Sequence, residues 1–178
     1  MWLKYLIIIL LFYFFAILQN SFFAHFNFMG AVPNLVFILF FTLIFFTQKR
    51  GFVEVIFYSF AGGFFLYIFS DVNFSASVIL LLIIGLSEKN AQKLLRNKQN
   101  DDYPFIYFLP LFFVSILAYD LLSSFIINSL NFSWPVFNLT WGFVSGIIYN
   151  LIIASIIFLA YKNFFSPAID NRQLPLLR

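Results

Sequence analysis

The chain has 178 residues, of which 63% are hydrophobic and only 10% charged, with a formal net charge of +3. So little charge excludes a water-soluble domain of this length, and apolar runs of membrane length follow one another, so an all-α integral membrane protein is expected. Cysteine is absent and there is one histidine, which excludes disulfides, thiolate metal sites, cysteine nucleophiles and imidazole clusters.

The first expected span covers 2–18, with Lys4 at its start as a cytoplasmic anchor. A secretory signal also joins a basic start to an apolar run, but no small-residue cleavage pattern follows Leu18, so an uncleaved helix is expected. A polar hinge comes next, with Gln19, Asn20, Ser21, His25, Asn27 and Asn34 as polar members and Gly30 and Pro33 as breakers. The second span, 34–47, rises only about 21 Å, so a re-entrant segment is an alternative to a crossing. Pro33 is expected to open this helix, because an N–H is not missed in a first turn. The third span, 52–69, ends at Ser70-Asp71-Val72-Asn73. The fourth, 74–86, is short again.

From Ser87 to Tyr103 the chain is strongly polar, with Glu88, Lys89, Lys93, Arg96, Lys98, Asp101 and Asp102. The spacing of Ala91, Leu94 and Leu95 suggests a helix continuing out of the membrane before Pro104, either solvated or binding a partner. The fifth span, 104–128, contains Pro110 as an expected kink. Trp134-Pro135 in the following turn suits an interface. The sixth span is 139–161, and a tail, 163–178, is broken by Pro167 and Pro175.

Charge tests the six-span count. If all six cross, both termini and the loops after the second and fourth spans share one side. Lys4, Lys49, Arg50, Lys89, Lys93, Arg96, Lys98, Lys162, Arg172 and Arg178 all lie there, and these are all ten basic residues of the chain. Basic residues mark the cytoplasmic side, so both termini are expected inside. A second span that failed to cross would divide the basic loops between the two sides.

The opposite, outer ends collect polar groups. Gln19, Asn34, Asp71 and Asp120 form the candidate outer site for a partner. Asp120 stands about 24 Å along the fifth helix from Pro104, and carboxylates at such depth usually face a bundle interior or a cavity. Asp71, at a helix end, also suits plain solvation. Two small-residue stripes suggest close helix packing: Ser59, Gly63, Tyr67 and Asp71 in the third span, and Gly142, Gly146 and Asn150 in the sixth. No H-E-x-x-H or G-x-S-x-G is present, Asp71 and Asp120 lack the surroundings of an intramembrane aspartyl pair, and there is no Gly-rich phosphate loop. No enzyme activity, cofactor, metal or nucleic acid is implied.

A first helix ending Leu18-Gln19-x-Ser21, then Gly30-x-x-Pro33-Asn34-Leu35 leading into a short helix, resembles the MreD family of rod shape-determining proteins. Gly62-Gly63 followed by Asp71 in the third span agrees, as do the basic cytoplasmic loops and the six-span layout. The chain departs from the family where Asn34 replaces an Asp common after the proline, and where Asn73 and Ser75 stand in place of a Gly. The resemblance implies an S-component-like bundle in the bacterial cytoplasmic membrane. It further implies a non-enzymatic scaffold of cell elongation that associates with MreC and, through it, with MreB filaments and the peptidoglycan synthase of RodA and its transpeptidase. The alternative is the substrate-binding S-component of an energy-coupling-factor vitamin transporter. The first helix of such a component usually carries Ala-x-x-x-Ala, whereas here it has only Ala16.

Overall fold

A computed structural model of the chain describes residues 2–26, 30–47, 51–69, 73–95, 105–130 and 141–170. Among them six helices follow in order: α1 (Trp2–Leu18), α2 (Leu35–Phe46), α3 (Gly51–Phe69), α4 (Phe74–Leu95), α5 (Phe105–Leu130) and α6 (Trp141–Asp170), with no strand. Five are long and apolar enough to cross a membrane, and α2 is the exception. The chain is therefore an all-α bundle of the multi-pass membrane type.

The helices differ from the expected spans at informative places. The helical path of α1 does not stop at Leu18 but widens into a π-helical turn, Gln19–Phe23. Pro33 does not open α2. The helix begins at Leu35 behind Asn34, whose side chain caps it, and a side-chain acceptor satisfies a first-turn N–H where a proline only removes one. Beyond Leu86, α4 continues to Leu95, as the spacing of Ala91, Leu94 and Leu95 suggested, and α5 runs through Pro110. Trp134 and Pro135 lie outside the described residues.

Helix α2 is the centre of the bundle. Its sequence, Leu35-Val-Phe-Ile-Leu-Phe-Phe-Thr-Leu-Ile-Phe-Phe46, is apolar all round rather than on one stripe, and such a helix belongs in an interior. Every other helix touches it, and all its side chains except Leu43 and Phe46 are buried. Thr42, its one internal hydroxyl, donates to Ile38 O within the helix at 2.8 Å. By contrast α1 buries only a narrow line, Ile8, Phe12 and Ala16, at four-residue spacing, and turns the rest outward, as a peripheral membrane helix does.

Aromatic rings fill the space around α2. Phe41 meets Phe112 edge-on at 5.2 Å between centroids, Phe45 meets Phe108 at 5.0 Å, and Phe108 meets Phe158 at 4.6 Å. Phe46 stacks on Tyr161 at 4.2 Å. Rings from α2, α5 and α6 thus interlock, and each such pair contributes about 0.5–1.5 kcal/mol beyond its buried area. Inside a membrane, close packing of this kind replaces the hydrophobic effect as the cohesive force between helices.

The small residues work differently from expectation. In α3, Ser59 and Gly63 are buried, but Tyr67 is 53% exposed, so the stripe ends before it reaches the helix terminus. A Cβ added at Gly63 would lie 2.9 Å from Val78 N and 3.0 Å from Val78 Cα, so the α3 and α4 backbones come close there. A Cβ added at Gly85 on α4 would lie 2.8 Å from Ile44 Cδ1 and 2.9 Å from Val55 Cγ1. In α6 no backbone of a second helix comes close at Gly146. A Cβ at Gly146 would meet only Ala31 Cβ, at an ordinary 3.6 Å. The short loop segment before α2 packs there instead of a second helix.

Gly63→Ala is accordingly expected to destabilise the protein by about 1–3 kcal/mol, the cost of overpacking against backbone that cannot yield, while Gly146→Ala leaves stability almost unchanged. Thermal unfolding of the two variants in detergent checks the order.

Candidate functional site

Because α2 starts inside the bundle, its first N–H groups have no helical partner and little access to water. Residues from three parts of the chain supply the acceptors. Asn34 Oδ1 accepts from Phe37 N at 3.0 Å, the ordinary capping bond. Gln19 Oε1 accepts from Val36 N at 3.4 Å. Asn150 Oδ1, on α6, accepts from Asn34 N at 2.8 Å. Leu35 N donates to Pro33 O at 3.1 Å, and Ile38 N makes the first helical bond to Asn34 O at 3.0 Å. Every N–H from Asn34 to Ile38 therefore has a partner.

The geometry follows from local sequence. The π turn lets two consecutive amides at the end of α1 serve two helices: Gln19 reaches the start of α2, and Asn20 Nδ2 donates to Phe69 O at the end of α3 at 3.0 Å. Gly30, at φ 81°, takes a left-handed conformation that residues with a Cβ avoid, and it turns the chain back toward α2. Asn150 is held by its own helix, since its Nδ2 donates to Gly146 O at 2.8 Å, and it is only 5% exposed. Tyr119 of α5, also buried, lies beside the Asn34 side chain.

Of the residues expected at an outer site, Gln19 and Asn34 are brought together, and Asn150, expected as a packing residue, joins them. Asp120 stands next to this set, one residue beyond Tyr119 and half-buried; its backbone carbonyl accepts from Ser123 Oγ at 3.1 Å. Asp71 and the Asn128 side chain lie outside the described residues. The arrangement holds backbone in place: both polar atoms of the Asn150 amide are engaged with backbone, as is the Asn34 oxygen.

The opposite end of α2 has a second polar cluster, and it comes from the segment expected to be solvated or to bind a partner. Glu88 and Gln92 are buried, at 2% and 4% exposure. Gln92 Nε2 donates to Phe45 O at 3.4 Å and to Glu88 Oε1 at 3.0 Å. Lys89 Nζ donates to Thr47 O and, at 3.4 Å, to Gln92 Oε1. One stretch of α4 thus grips the last carbonyls of α2, and the Lys89 cation sits at the negative end of that helix. Lys4 and Glu54 form an ion pair nearby at 2.7 Å that joins α1 to α3, and Tyr58 lies beside Thr47 and Lys4. The signal for this cluster was the spacing of Glu88 and Gln92, which places both on one helical face in line with Leu81 and Gly85. Among the described residues, no group of three or more His, Asp or Glu side chains is placed to hold a metal ion.

Comparisons with protein-family models, with curated proteins and with solved structures gave no match.

Asn150→Ala removes the acceptor for a buried N–H and is expected to cost about 1–3 kcal/mol. Asn34→Asp keeps the capping oxygen and is expected to cost far less than Asn34→Ala. Unfolding midpoints of the three variants in one detergent measure this.

Proposed function

We propose that the chain is a non-enzymatic scaffold of the bacterial cell-elongation machinery, of the MreD type. It would lie in the cytoplasmic membrane with both termini inside and associate with MreC. The observation that carries this proposal is the convergence of Gln19, Pro33 and Asn34, three of the residues of the resemblance, on the start of one buried helix. They form a single structural unit rather than a scattered match. The departure at Asn34 is mild in this setting, because an Asp would offer Phe37 N the same oxygen. The ten basic residues, counted by loop, put the Lys4–Glu54 and Glu88–Lys89–Gln92 groups on the cytoplasmic side and the amide cluster on the outer side. Association then runs through helix faces in the bilayer and through the outer polar residues, with Asp120 and Asp71 as contacts rather than caps.

The transporter alternative gains nothing from the site. An S-component needs free polar groups turned into an outward pocket, whereas the Asn150 amide here is bound to backbone at both atoms.

Co-expression with MreC and purification through a tag on either partner tests the assignment. The complex is expected with the wild type and in several-fold lower yield with Asp120→Ala and Asp71→Ala. Wild-type yield with both variants removes the outer contacts from the proposal. Failure of MreC to co-purify with the wild type, together with a vitamin found by mass spectrometry of the purified protein, favours the transporter.

A further inference from the structure

The cluster at the carboxyl end of α2 contains a carboxyl group whose bonding is incomplete. Glu88 is 2% exposed, its Oε1 accepts from Gln92, and its Oε2 has no hydrogen-bond partner among the described residues. Buried polar atoms without partners are few in folded proteins, and each one needs a cause. The position supplies it. The last carbonyls of a helix carry partial negative charge, and the carbonyls of Phe45 and Thr47 are the ones that Gln92 and Lys89 reach. Burial deprives a full negative charge there of water, and these carbonyls repel it. A neutral carboxyl is not repelled, and protonation lets it act as a donor as well as an acceptor.

Among the described residues the charged and titratable neighbours are few. Lys89 is on α4 itself, Lys4 on α1, Glu54 and Tyr58 on α3, and Tyr161 on α6. In this region α2 contributes carbonyls and Thr47, and α5 contributes phenylalanines such as Phe105 and Phe108. Among the described charged groups, Lys89 is the one whose field reaches Glu88. Its ammonium, however, is bonded to Thr47 O and Gln92 Oε1, so among the described residues Glu88 is linked to Lys89 through the Gln92 amide rather than by an ion pair.

We propose that Glu88 is a proton-binding site and that its proton latches the end of α2 to α4. The proton is taken from, and returned to, water at that end of the bundle. With the proton bound, Glu88 is neutral and Gln92 bridges it to Phe45 O. Without it, the buried carboxylate draws in water, the bridge weakens and the last turn of α2 loosens. The sign follows: the proton binds the clamped state better than the loosened one, so the clamp is strong at low pH and weakens as pH rises.

The test uses the full chain in lipid nanodiscs over a pH series. Infrared spectra are expected to contain a protonated-carboxyl stretch that Glu88→Gln removes. Hydrogen exchange in the last turn of α2, corrected for its intrinsic pH dependence, should rise several-fold with pH in the wild type. It should stay flat in Glu88→Gln, whose side chain remains neutral, while Glu54→Gln behaves as the wild type. Glu88→Asp keeps a carboxyl and should shift the band and the pH midpoint, which preserves the test if Glu88→Gln misfolds. A spectrum in which neither Glu88 variant alters a protonated-carboxyl band overturns the proposal. So does a pH response in Glu88→Gln equal to that of the wild type.

Discussion

The structure depends on how one short helix begins. Twelve residues of α2 rise about 18 Å, well short of the roughly 30 Å of a hydrocarbon core, so the helix must start within the bundle. There each N–H left without a partner costs several kcal/mol, because no solvent is present to take it. The fold answers with side chains drawn from the end of α1, the residue before α2 and the middle of α6. The π turn of α1, the left-handed Gly30 and the inward position of Asn150 all follow from that requirement. Once they are in place, α2 has one axial position, and the other helices pack around it.

The two ends of α2 are treated by opposite chemistry. Its start has exposed N–H dipoles and receives neutral amide oxygens. Its finish has exposed carbonyls and receives Lys89 and the Gln92 amide. This is the polarity a helix dipole prefers. It also explains why Lys89 is found at the finish: a cation at the buried start would oppose the dipole. Between the ends lies a collar of phenylalanines from α2, α5 and α6. Those rings hold α2 laterally, while the polar groups fix its position along the axis.

Much of the fold was legible in the sequence. Hydropathy located all six helices, and Gln19, Pro33 and Asn34 marked the important junction. The junction's logic was less visible. Asn150 lies 116 residues from Asn34, and no local pattern links them, so Asn150 read as an extension of a small-residue stripe. Of the two glycine stripes, the one in α3 marked a close approach, at Gly63, but its partner Val78 is an ordinary valine that no pattern singles out. Glu88 and Gln92 read as part of a solvated or partner-binding segment because their neighbours are polar. Their burial follows from α4 continuing past the apolar run, which hydropathy alone does not register. The composition of α2 did carry an unused signal: a short helix without a polar face has nowhere to be except surrounded.

The bond between Asn150 and Asn34 has a consequence for how the protein is made. A chain enters the membrane from its amino end, and α2 is among the first segments to arrive. Its opening N–H groups then wait for an acceptor carried on the final helix. Gln19 and the Asn34 side chain can serve as early, provisional caps. The arrangement closes only when the segment bearing Asn150 has been delivered, so completion of the α2 junction reports that translation has reached α6.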